Sequence, residues 1–201
     1  MIKRSTAFTG AILLIASTLA LGSENVDAQP APKRVNATAA VQAAFLKRID
    51  AYIALHKRLE AMLPALPKDA TPLQIDQNQR ALADLVIQAR KDAKPGDLFT
   101  PDLRRLIHRF MARAFSGPRG AQARKYVHDE PHAVMPDINK RYPDTVPLAT
   151  MPLRVLEWLP KLPDELEYRF VDNHLILMDV HAHVILDYVR NAIPPATAAA
   201  R

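Results

Sequence analysis

Residues 166–189 read LEYRFVDNHLILMDVHAHVILDYV, and this stretch decides the fold. Leu166, Tyr168 and Phe170 alternate with Glu167, Arg169 and Val171, the period-two pattern of a strand. Asp172-Asn173 is a turn signal, and His174 to Asp179 is a second strand. The region around His181 and Ala182 turns again, and Val184 to Val189 is a third. Two close turns between β-rich runs predict an antiparallel meander. Three strands alone are marginal, so one face must pack on another element.

That element comes earlier in the chain. Val41, Phe45, Ile49, Tyr52, His56, Leu59 and Leu63 recur at steps of three and four, predicting a helix from about Ala37 to Leu63. Pro64 and Pro67 end it, because proline lacks the backbone donor. Thr71-Pro72-Leu73-Gln74 carries a capping threonine, a first-turn proline and a glutamine that can reach back. Thr100-Pro101-Asp102-Leu103 opens a third helix in the same way, with a face of Leu103, Leu106, Ile107, Phe110 and Ala114. Gly117-Pro118 breaks that helix, and a fourth runs from Pro118 to His128.

Prolines at 131, 136, 143, 147, 152, 160 and 163 rule out long regular elements between the helices and the meander. The segment still holds Val134, Met135, Ile138, Tyr142, Val146, Leu148 and Leu156, more large apolar residues than a disordered linker carries. It reads as an ordered strap with one short helix, Thr150 to Leu159, and Trp158 available to pack on the bundle. The expected class is therefore α+β, mainly α. A helical bundle (29–130) precedes a Pro-rich strap (131–163), a three-stranded antiparallel meander (164–193) and a flexible tail (194–201).

Met1–Ala28 stands apart from this plan. Lys3 and Arg4 precede an apolar run from Ala7 to Leu21, and Val26-Asp27-Ala28 offers a small-x-small cleavage site before Gln29. That order is the pattern of a secretory signal peptide. The expectation is an exported bacterial protein, periplasmic or secreted, with no transmembrane span once the signal is cleaved. The competing reading keeps Ala7–Leu21 as an anchor, but the run is short for one.

The chain has no cysteine, which excludes thiolate metal sites, thiol nucleophiles and disulfide staples. After Ala28 the only serine is Ser116, in Phe-Ser-Gly-Pro, which is not a nucleophile elbow. The glycines there are Gly96, Gly117 and Gly120, with no phosphate loop and no dinucleotide fingerprint. A non-enzymatic role without a cofactor is expected. The formal charge is +6, and Lys3 and Arg4 are offset by Glu24 and Asp27, so the excess lies after the signal. Outside the cytoplasm that charge points to an anionic envelope component or another envelope protein, not to nucleic acid.

Four groups could carry chemistry. Arg105, Arg109 and Arg113 follow at four-residue steps and form a ridge suited to an anionic partner. His181-Ala182-His183, with Asp179 two residues earlier, would share one face of an extended strand and could bind a divalent transition metal. His128-Asp129-Glu130-Pro131-His132 sets imidazoles beside carboxylates, with Pro131 breaking a helix between them. His56 lies on the apolar stripe of helix one and reads as a histidine bonded to a neighbour.

Gly96-Asp97-Leu98-Phe99-Thr100-Pro101, Ser116-Gly117-Pro118, Arg141-Tyr142-Pro143 and Leu166–Val171 resemble recurring elements of an uncharacterised family of exported bacterial proteins. Leu175–Leu177, Asp179, Ile185–Tyr188 and Asn191–Pro194 resemble it as well. The resemblance implies export and a shared fold, and supplies no catalytic residues. Tyr168–Val189 is also similar to the closing hairpin of periplasmic nickel/cobalt homeostasis proteins, although Ala182 and His183 stand where that second turn usually has Gly. This likeness implies metal homeostasis through the C-terminal histidines. A further alternative is a metal-dependent hydrolase built from both histidine clusters.

Overall fold

A computed structural model describes residues 36–128 and 135–195; the expected signal and most of the expected tail lie outside them. The fold is α+β and mainly helical. Four helices come first: α1 (Ala37–Glu60), α2 (Pro72–Ala89), α3 (Pro101–Ala114) and α4 (Gly117–His128). Strand β1 (Lys140–Arg141), a single turn α5 (Leu153–Leu156) and strands β2 (Leu166–Val171), β3 (His174–Asp179) and β4 (Val184–Val189) follow. Among the described residues no helix is long and apolar enough to cross a membrane.

Local chemistry explains the helix limits. Asn36 caps α1, its side chain accepting from the Thr38 N–H. Thr71 and Gln74 form the expected reciprocal capping box on α2. Thr100 does not cap α3 with its side chain; Asp187 takes the N–H groups of Leu98 and Phe99 just upstream instead. At the α3–α4 junction a Cβ on Gly120 would lie 2.2 Å from the Phe115 carbonyl carbon, so only glycine fits that close approach. The short helix expected over Thr150–Leu159 shrinks to one turn between Pro152 and Pro160.

The sheet has four strands, not three, in the order β1-β4-β3-β2, all antiparallel. The extra strand comes from the strap: Lys140 pairs with Ile185 and Arg141 with Val184, so β1 covers what would have been the free edge of β4. Leu166, Tyr168 and Phe170 of β2 and Leu175 and Leu177 of β3 share one hydrophobic core with Phe45, Ile49, Leu82, Leu103 and Ile107 of the helices. The opposite face is also covered. Val171, Ile176, Met178, Ile185 and Tyr188 form a second core with Tyr142, against which Ile138, Val146 and Leu148 of the strap pack. Every residue of β3 and β4 is buried for this reason. Met135 and Leu156, two of the strap's large apolar residues, are exposed. Trp158 packs on the helices, its ring 5.8 Å from Phe110.

A bulge decides which β4 residues face the helices. Leu177 pairs with Asp187 and Met178 with Ile185, leaving Leu186 as the extra residue. Asp187 therefore joins Leu177 on the helix side of the sheet, as Asp179 does at the other end of β3.

Candidate functional site

Asp179 closes β3 and faces α1, where Tyr52 and His56 lie one turn apart on the buried stripe. Tyr52 Oη donates to Asp179 Oδ2 at 2.5 Å, and His56 Nδ1 lies 2.6 Å from the same oxygen. Oδ1 accepts the backbone N–H groups of His181 and Ala182 at 3.0 and 2.8 Å. His56 and Asp179 are both fully buried. Burial alone would raise the Asp179 pKa, but the hydrogen bonds from His56, Tyr52 and Ala182 hold it below the carboxylate range. Burial would likewise lower His56, yet the bond to Asp179, then its charge and those of Glu60 and Glu165, lift it above the ordinary value. Burial, reinforced by Asp179, pushes the Tyr52 phenol far up and keeps it neutral.

The second nitrogen of His56 is the notable atom. Nε2 is buried and has no hydrogen-bond partner among the described residues. Glu60, one turn further along α1, brings Oε2 to 3.9 Å from it. His181 lies across from both, with Nδ1 3.6 Å from Glu60 Oε1 and its ring 5.4 Å from that of His56. One donor atom from each of His56, Glu60 and His181 lies within 4.8 Å of the other two. Glu60 and His181 are half exposed, so the corner opens to solvent on one side.

This grouping differs from the expected ligand set of Asp179, His181 and His183, of which it shares only His181. β3 ends at Asp179 and β4 begins at Val184, so the H-x-H lies in the turn, where strand alternation does not apply. His183 takes a left-handed φ of 55° and sets Nδ1 3.2 Å from Asp144, and it is not part of the group that His181 joins. Asp179 has both oxygens engaged by protein donors. Sequence reading found His56 and His181 separately and missed Glu60, although the His56–Glu60 spacing of four was a visible helical signal. The group from Asp129 to His132, with the side chain of His128, lies outside the described residues.

Arg105, Arg109 and Arg113 are exposed, but the ridge is not uniform. Arg105 pairs with Asp102, and the Arg113 guanidinium lies 5.6 Å from the centre of the Trp158 ring. From Leu103 to His128 there is no Asp or Glu. Concavities flank α3 on two sides. One of about 320 Å³ is lined by Arg105, Arg109, Asp102 and the start of α1. The other, about 330 Å³, is lined by Pro95, Arg104, His108, Tyr188, Val189 and Arg190, with no carboxylate among the described residues. Arg104 there is anchored through Nε to the Phe99 carbonyl, and Arg190 donates to the Tyr188 hydroxyl at 2.9 Å. A larger concavity of about 540 Å³ beside β2 is mainly apolar; its charged lining residues are Lys161, Glu167 and Arg169, of which the last two pair with each other.

Asp187 serves a different purpose. Its two oxygens accept from the backbone N–H groups of Gly96, Leu98, Phe99 and Tyr188 at 2.8–3.1 Å. It pins the loop that leads into α3, and so fixes Arg104 and His108 relative to β4.

No known family model matches the chain, and no curated protein or solved structure matches it.

Proposed function

We propose that this chain is an exported, non-enzymatic binding protein of the bacterial cell envelope, and that its α3 face engages an anionic envelope component. The supporting observation is the carboxylate-free concavity of Arg104, His108 and Arg190, which adjoins the exposed ridge of Arg105, Arg109 and Arg113. Two guanidinium groups and an imidazole around one hollow suit a phosphate or carboxylate group. The ridge beside it suits the extended charge of a surface or polymer. Ser116 supports the non-enzymatic reading, since its hydroxyl is spent on the Arg113 carbonyl. The Lys3–Ala28 pattern supports export.

Sedimentation with vesicles tests the proposal. The protein is expected to pellet with phosphatidylglycerol vesicles at low salt, to stay in solution with phosphatidylcholine, and to be released by high salt. A basic residue near an anionic surface contributes about 1 kcal/mol, so Arg105→Glu with Arg109→Glu should weaken binding roughly 30-fold or more. Binding that survives this double reversal together with Arg190→Glu defeats the proposal.

A further inference from the structure

We infer that His56, Glu60 and His181 form a binding site for one divalent transition-metal ion, with Asp179 behind it as the residue that orients His56. The Nε2 of His56 is buried and unpartnered among the described residues. A buried nitrogen without a partner is costly, and a neutral imidazole bound through Nδ1–H to a carboxylate presents a lone pair at Nε2. Metal-binding histidines carry this same carboxylate behind the ring, which fixes the tautomer and strengthens the donor. Asp179 Oδ2 occupies that place at 2.6 Å.

The other donors stand in front of the ring. Glu60 Oε2 is 3.9 Å from His56 Nε2, and His181 Nδ1 is 3.6 Å from Glu60 Oε1. Ligand atoms on a tetrahedral ion with bonds of about 2.0–2.2 Å stand roughly 3.4 Å apart. Small rotations of the half-exposed Glu60 and His181 close the difference, while His56 stays fixed by Asp179 and the core. The surroundings favour a cation: Glu165 adds a further negative charge near His56, and the nearby Lys57 is drawn to it at 3.4 Å. Two imidazoles and one carboxylate select zinc, nickel or cobalt over magnesium or calcium, whose sites are built from oxygen. Three protein ligands on an open corner leave at least one position for water or an outside ligand.

Calorimetric titration of untagged protein with Zn²⁺, Ni²⁺ and Co²⁺ tests the site. Saturation at about one equivalent is expected for at least one of these ions. His181→Ala and Glu60→Gln, both at exposed positions, should abolish that saturation without disturbing the fold, and His183→Ala should leave it intact. Asp179→Asn should lower affinity about 10- to 100-fold, because the amide donates to Nδ1 and moves the ring proton to Nε2. A tetrahedral Co²⁺ absorption band lost in His181→Ala gives a readout independent of heat. The inference is overturned by absence of saturable binding, by binding that persists in His181→Ala, or by loss in His183→Ala with His181→Ala unaffected. Vesicle binding through α3 involves none of these residues, so the two proposals fail separately.

Discussion

Asp179 and Asp187 lie on the same side of one sheet, and both are completely buried. Their partners separate them. Asp187 accepts only backbone N–H groups, from a loop about ninety residues earlier and from its own neighbour. Asp179 gives one oxygen to backbone N–H groups and the other to a phenol and an imidazole. Backbone donors cannot reverse their polarity, so Asp187 can do nothing but hold a loop. Side-chain partners can exchange donor and acceptor roles, and one of them passes the influence of Asp179 to a half-open corner. Burial of a carboxylate is thus not the signal of a site; the chemistry of its partners is.

Substitution by asparagine should split the pair most widely. In Asp187→Asn the new NH₂ group faces N–H donors whichever way the amide turns, leaving buried groups unsatisfied. The expected loss is about 3 kcal/mol or more, enough to unfold a marginal domain. In Asp179→Asn the carbonyl keeps the His181 and Ala182 N–H groups, while NH₂ donates to His56 Nδ1 and to a reoriented Tyr52 hydroxyl. The expected loss is about 1 kcal/mol. Urea unfolding of both variants makes the comparison, and equal losses would show that partner chemistry does not matter.

The pH dependence of stability should differ in the same sense. Asp179 has a folded pKa below its ordinary 3.8, so its contribution is present above that value and is lost as pH falls through the folded one. His56 has a folded pKa above its ordinary 6.5, so its contribution is full below that pH and is lost as pH rises through the folded value. Together they stabilise most between 3.8 and 6.5. The difference in unfolding free energy between the natural chain and Asp179→Asn, measured with a chelator present, should therefore form a dome. A difference that keeps rising above pH 6.5 contradicts the His56–Asp179 pairing.

Much of the architecture was legible because its signals are local. The limits of β2, β3 and β4 follow from short turns between alternating or continuous apolar runs, and α2 from a complete capping box. What escaped depends on distant partners. Lys140–Arg141 is two residues long, and Pro136 and Pro143 flank it closely, so it has no period to read. The bulge at Leu186 shifts the parity of β4, so simple alternation misplaces Asp187. Thr100 copies the cap of Thr71 in sequence, yet a carboxylate on β4 holds that end of α3. The proposed site is half legible: the sequence draws attention to His181 through its neighbour His183, whereas the turn sets it beside His56 and Glu60 on α1.

The smallest expected effect belongs to His183, and it sharpens the same contrast within the turn beside Asp179. Its φ of 55° lies in the left-handed region, which asparagine adopts more readily than histidine. His183→Asn relieves that strain and loses a partly exposed contact with Asp144, worth about 0–1 kcal/mol in either direction. The net change should stay within about 0.5 kcal/mol in urea unfolding. Metal affinity should not change at all, since His183 Nδ1 is engaged with Asp144 and the residue is not part of the His56–Glu60–His181 group. His181, two residues earlier, is equally polar and more exposed, yet its loss should empty the site. If both substitutions behaved alike, the turn would be acting as a simple H-x-H ligand pair, and α1 would have no part in holding the ion.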